Sequence, residues 1–188
     1  LVAHVDSLSA IVEELRTLGL SNAGQLDLTC IDLDLAIEAG VAADALEAEL
    51  AGALIKLTRV LGSAVVTADQ TRLRQSFVAL LENCCRYAPG STVRIETGTE
   101  GDDVFFRCSD TGPGLPEESH DRAFDRFWRA DESRGRSRGG SGLGLPIVRA
   151  IARAHGGEAL ILAHDGPGLT IEIRLPRHAS PVSKRDLP

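Results

Sequence analysis

The sequence predicts an α/β protein: a two-layer sandwich with a mixed, mainly antiparallel sheet and helices on one face. Three observations carry this. Val93, Ile95 and Thr97 alternate with polar residues, residues 98–102 turn, and residues 104–109 return as a more apolar strand, so a hairpin is expected. A second hairpin closes the chain. Residues 158–163 and 169–175 flank the turn from His164 to Gly168, and Leu169, Ile171, Ile173 and Leu175 alternate with Thr170, Glu172 and Arg174. Helical stripes accompany both hairpins. Leu73, Phe77, Leu80, Leu81 and Cys84 recur at helical spacing, in a segment opened by the N-cap residue Asp69 and stopped before Pro89-Gly90.

The other elements follow in order. Leu1, Val5, Leu8, Val12 and Leu15 recur at spacings of four and three up to Gly19. This is a short a/d seam, read equally well as a pairing helix or as an amphipathic helix packed on its own domain. Residues 20–30 read as a connector, 31–35 as a short extended piece and 36–50, rich in Ala, Leu and Glu, as a helix. Two short strands are expected over 54–61 and 64–67, separated by Gly62-Ser63. Residues 115–140 are charged and rich in Gly and Ser, with Phe124, Phe127 and Trp128 embedded; so long a stretch inside a domain suggests a functional lid or a disordered insert. The tail from Arg177 has no period, and no internal repeat is visible.

Composition narrows the class. Among 188 residues, 43% are hydrophobic and 25% charged, ordinary for a globular protein, and a single Trp and Tyr leave the core to aliphatic side chains. A net charge of -7 argues against nucleic acid or an anionic membrane as partner. No apolar run approaches the roughly 20 residues of a membrane helix, and no signal peptide opens the chain. It begins at Leu1 and has no Met, which reads as a piece of a longer protein. Cys30, Cys84, Cys85 and Cys108 have neither metal-type spacing nor a paired framework, so a reducing cytoplasm is expected.

One stretch carries chemistry on its face. Gly140, Gly142 and Gly144 alternate with Ser141, Leu143 and Leu145, and Pro146-Ile147-Val148 then opens an amphipathic run to about His155. A glycine-rich loop leading into a helix exposes N–H groups that have no intrahelical acceptor, and so cradles anions. Pro146 suits a first helical turn. The stretch is not a Walker loop, since no GK[ST] follows; the plainer reading is a flexible linker.

Four separated pieces together are identified as a resemblance. Leu80 to Tyr87 resembles the asparagine box, Asp110-Thr111-Gly112-Pro113-Gly114 the first glycine box, Phe124 to Asp131 the phenylalanine box, and Gly139 to Leu145 the second glycine box. In this order they resemble the catalytic, ATP-binding domain of two-component sensor histidine kinases, within the GHKL (Bergerat-fold) ATPase superfamily.

The resemblance implies the Bergerat fold over residues 36–176, with an ATP lid at about 112–142. It further implies part of a second dimerisation helix over 1–20, a linker over 21–35 and a flexible tail over 177–188. It implies Mg²⁺ and ATP as ligands. Asn83 would offer a carbonyl oxygen to Mg²⁺, Arg86 would reach a phosphate and Tyr87 would flank the base or ribose. Asp110 would accept from the adenine amino group, disfavouring guanine. Gly112 and Gly114 would turn tightly beside the nucleotide, and Gly140, Ser141, Gly142, Leu143, Gly144 and Leu145 would cradle phosphates. Phe124 and Phe127 would pin the lid. Arg129, among the lid cations Arg122, Arg126, Arg134, Arg136 and Arg138, would approach the γ-phosphate as the catalytic cation, and Thr170 would represent the last box.

The implied activity is that of a protein-histidine kinase: transfer of the γ-phosphoryl to a His on an upstream dimerisation domain of the same homodimeric parent, for relay to the Asp of a response-regulator receiver domain. A cytoplasmic site follows, with the parent either membrane-anchored or not. The acceptor motif, His followed by Glu-x-Arg-Thr-Pro, is absent from these residues. A second departure is Ala79, where the family carries Asn or His and its hydrolysing relatives a Glu; hydrolysis by water is expected to be poor. Two alternatives remain on sequence alone: an anti-sigma-type serine kinase, and a degenerate module that binds nucleotide without transfer.

Overall fold

The structure, a computed structural model, describes residues 12, 15–21, 25–130, 141–163 and 166–177. Leu1, Val5 and Leu8 of the seam, Gly139, Gly140, the lid cations Arg134, Arg136 and Arg138, and the tail beyond Arg177 lie outside the described residues. The elements are β1 (Cys30–Asp34), α1 (Leu35–Ala45), α2 (Glu47–Gly52), β2 (Lys56–Leu61), β3 (Val65–Asp69), α3 (Gln70–Tyr87), β4 (Thr92–Glu100), β5 (Asp103–Asp110), α4 (Gly144–Ala154), β6 (Glu158–Leu162) and β7 (Leu169–Pro176). A 3₁₀ turn spans Glu117–Ser119.

Five strands form the main sheet in the order β2-β4-β5-β7-β6. Only β2 and β4 run parallel; the other neighbours are antiparallel. Period-two alternation sends Val93 and Ile95 of β4, Val104, Phe106 and Cys108 of β5, and Ile171, Ile173 and Leu175 of β7 to one face. These residues share one core with Leu35, Ala39 and Ala42 of α1, Leu73, Phe77, Leu80 and Leu81 of α3, and Val148 and Ala152 of α4. Phe77 stacks on Phe106 with ring centroids 4.2 Å apart, fixing the height of α3 on the sheet. The two-layer α/β class and the helical stripe on α3 are as expected.

The structure adds three differences of detail. The helix expected over 36–50 breaks at Leu46, whose backbone (φ -107, ψ 16) ends α1 and precedes α2. Leu46 is itself buried, so core packing overrides uniform helix propensity there. The short extended piece expected over 31–35 is β1 at residues 30–34, and its pairing, antiparallel with β3 in a separate two-stranded sheet, was not foreseen. The register is held by Asp34, which accepts hydrogen bonds from the amides of Ala36 and Ala64 and from the Ser63 hydroxyl. Burial works to raise its pKa, but these three bonds outweigh it and hold the carboxyl below its ordinary value. Finally, β7 is buried on both faces at its centre. Glu172, predicted to face water, is fully covered and paired with Arg107 and Arg174.

Residues 15–21 are helical and two past the expected stop at Gly19. Leu18 is buried against Leu143, Ile147 and Ile151, a satellite core on the outer side of α4. Arg126 donates to the Leu18 carbonyl and Arg72 to the Thr17 hydroxyl. Of the two readings of the seam, its described end shows packing on its own domain.

Candidate functional site

A cleft of about 400 Å³ opens where the C-terminal half of α3, the ends of β5 and β7, the lid and the start of α4 converge. Asp69 starts this arrangement. Its Oδ1 accepts from the Arg72 amide and caps α3, while Oδ2 accepts from the Thr29 amide. The backbone N–H of Asp69 donates to Nε2 of buried His155, whose Nδ1–H donates to the Ile151 carbonyl. The N-terminus of α3 is thereby tied to the C-terminus of α4. Burial lowers the His155 pKa and keeps the ring neutral, consistent with one nitrogen accepting and the other donating.

At its far end α3 presents Asn83, Arg86 and Tyr87 to the cleft. The amide of Asn83 lies 3.7 Å from where a Cβ on Gly144 would sit, so the asparagine box directly faces the second glycine box. Asp110, at the end of β5, accepts from the Gly112 amide at 2.7 Å. A Cβ at Gly112 would come within 2.5 Å of the Ala88 Cβ, so this close approach of the loop to the end of α3 requires glycine. Gly142 has φ 69, and a Cβ there would lie 2.9 Å from the Phe127 Cα. The lid folds back at that point, with the Phe127 amide donating to the Gly142 carbonyl.

The N-terminus of α4 opens beside Asn83 with no side chain capping it among the described residues; Ser141 Oγ accepts instead from the Leu143 amide. Pro146 occupies the first turn, where its missing N–H costs nothing. Unsatisfied helical N–H groups, Arg86 and Arg129 thus give one part of the cleft positive character. Asp110 supplies a carboxylate acceptor in another, above a floor of Leu80, Cys84, Cys108, Leu169 and Ile171. A ligand with a flat apolar part, an amino donor and a polyanionic tail matches this pattern.

Asn83, Arg86, Tyr87, Asp110, Gly114, Arg129, Gly142, Gly144 and Leu145 all line the cleft. Gly112 and Ser141 shape the loops behind its wall, and Gly140 lies outside the described residues. Three expectations need correction. Phe127 does not pin the lid: it is 61% exposed, at φ 62, and outside the cleft wall. The anchors are Phe124, buried beneath the Arg149 guanidinium at 4.0 Å, and Trp128, packed on the core and lining the cleft. Leu143 turns its side chain away into the cluster with Leu18 and Ile147. Thr170 is excluded by strand alternation: Asp110 and Cys108 pair with Leu169 and Ile171 on the cleft side, so Ser109 and Thr170 face the other way and bond each other at 3.0 Å.

The apolar floor was missed as a site because its residues carry the signal of an ordinary core. The available cue was proximity in sequence: Leu80 and Cys84 flank Asn83, and Cys108 lies two residues before Asp110.

Comparison with known proteins agrees with this geometry. Residues 68–179 match the family described as histidine kinase-, DNA gyrase B-, and HSP90-like ATPase. The chain is 36% identical over 182 residues to the signal transduction histidine-protein kinase BaeS of Escherichia coli, a match covering 94% of this chain and 39% of BaeS. It therefore spans about two fifths of that relative's length. Among solved structures, it resembles the histidine kinase AdeS of Acinetobacter baumannii with a TM-score of 0.79 and 28% identity, covering 94% of this chain and 81% of that one. It also shares the fold of the histidine kinase ThkA solved in complex with response regulator protein TrrA, at a TM-score of 0.72 and 20% identity, over 94% of this chain and 49% of ThkA. The chain belongs to the histidine kinase-, DNA gyrase B-, and HSP90-like ATPase family.

Proposed function

We propose that this domain binds Mg²⁺–ATP in the cleft and presents the γ-phosphoryl group to a His on a dimerisation domain of the parent protein, for relay to the Asp of a response regulator. The supporting observation is the convergence of Asn83, Asp110 and the uncapped start of α4 on one cleft. Asp110 accepts from the adenine amino group, and the aliphatic and thiol floor takes the ring's face. Tyr87 stands at the rim for the ribose or base. The glycine box and α4 N–H groups cradle phosphates, with Arg86 as a further cation.

Phosphoryl transfer passes through a loose transition state, so positioning and charge neutralisation are the work required of the protein. Arg129, on the lid wall, offsets charge developing on the transferred group. Among the described residues no three His, Cys, Asp or Glu side chains gather to hold a metal. A lone neutral donor such as Asn83 Oδ1 fits Mg²⁺, which keeps waters and phosphate oxygens as its other ligands. When bound, Mg²⁺ neutralises phosphate charge. The attacking imidazole must be neutral, which physiological pH allows.

The test is to mix the chain with the parent's upstream helix-pair domain and γ-labelled ATP. Label on a His of that domain is the expected result. Calorimetric binding of Mg²⁺–ATP without any label would instead establish a nucleotide-binding module without transfer, and the absence of both would reject the site.

A further inference from the structure

We propose that Cys84 and Cys108 form a two-thiol binding site in the cleft floor, suited to a neutral trivalent metalloid hydroxide of the arsenic(III) class. The sulfurs lie 3.6 Å apart, one on α3 and the other on β5. Both residues line the cleft while being almost covered, so a ligand entering it meets the two sulfurs together. Cys85, the next residue, is about 100° further round the helix and outside the cleft wall.

The gap selects the kind of occupant. A disulfide needs sulfurs about 2.05 Å apart, so the two side chains would have to move together from their 3.6 Å separation. A bridging atom needs no such movement: with bonds near the ~2.3 Å of metal–thiolate ligation, a 3.6 Å span corresponds to an angle of about 100° at the bridge. A pyramidal trivalent centre accepts that angle and leaves its third ligand pointing into the cleft.

Charge selects the class. A divalent cation would need both thiols ionised and further ligands, and among the described residues no third His, Cys, Asp or Glu joins them. A metalloid hydroxide avoids this. Two As–O bonds break and two As–S bonds form, each thiol proton leaves with a hydroxide as water, and no electron is transferred. No net charge is created in the cleft.

The experiment uses the chain carrying Cys30→Ala and Cys85→Ala, which leaves only this pair, treated with phenylarsine oxide and read by intact mass. One adduct per chain is expected, retained against excess monothiol and released by a dithiol. Adding Cys84→Ser or Cys108→Ser should weaken retention about a hundredfold, since two-point attachment is lost. No adduct on the folded two-thiol chain, equal retention by the single-thiol variants, or preferential uptake of Zn²⁺ would each overturn the proposal. The location in the nucleotide cleft rests on the function proposed above: if the untreated chain binds Mg²⁺–ATP, the adduct should abolish that binding, and undiminished binding would overturn the location. Failure of the untreated chain to bind nucleotide would count against that function alone, because capture is read by mass.

Discussion

Asp110 and Ala79 show how much rests on single side chains. Asp110 bonds the Gly112 amide through one oxygen while facing the cleft. Asp110→Asn keeps an acceptor for that amide but removes the charge offered to an adenine amino group. Hydrogen bonds to charged groups contribute about 1.5–3 kcal/mol, so nucleotide affinity should fall roughly 10- to 100-fold with little change in melting temperature. Calorimetry and thermal melts on the same variant check both halves. Ala79 lies half-buried against the core, one helical turn before Asn83, and carries no group able to activate water. Steady-state ATP hydrolysis by the chain should stay at background, and a phosphate-release assay showing robust turnover would contradict this. That Asn83, Asp110, Gly114, Gly142 and Gly144 meet at one cleft was legible in the sequence, because the four boxes hold these residue types at set spacings. Phe127 misled because an aromatic residue in a charged, Gly-rich loop suggests an anchor, whereas its ring is exposed to solvent.

Elements make the site through their joints. The lid is fastened by Phe124 under Arg149 of α4, not by Phe127. Phe124→Ala should destabilise by about 3 kcal/mol. Phe127→Gly removes an exposed ring and relieves a left-handed backbone, and should change stability by no more than about 0.5 kcal/mol. Urea titrations of both variants distinguish these outcomes. The α3–α4 joint is pH-sensitive in a defined direction. His155 has a folded pKa below the ordinary 6.5 because it is buried. As pH falls through that ordinary value the unfolded chain takes up the proton first, so stability is complete above about 6.5 and declines as pH drops toward the folded pKa. Unfolding midpoints should therefore fall between pH 7.5 and 5.5, and His155→Gln, which keeps an acceptor but does not titrate, should flatten that window. The cap at Asp69 was readable from sequence, but its partner His155, 86 residues on, was not.

Across the molecule the sheet divides two chemistries. One face holds the aliphatic core beneath the helices; the other buries Glu172 between Arg107 and Arg174, with Glu100 bonding both arginines. Glu172→Ala takes the buried carboxylate from both arginines and leaves Glu100 as their shared partner. Because both arginines retain partial solvent access, the cost should be about 2 kcal/mol, below the range for fully buried pairs. Denaturant unfolding measures it. The layer architecture, the strand alternation and the four boxes could be read directly because they depend on local periodicity and on residue types with few substitutes. The apolar floor of the cleft, the turn of Leu143 and Thr170 away from it, and the meeting of two cysteine sulfurs across 24 positions could not. Those depend on how α3 sits over β5 and on which face of each strand the register exposes. Such choices are made by the packing of the whole core, where residues distant in sequence compete for the same volume, and no local pattern records the result.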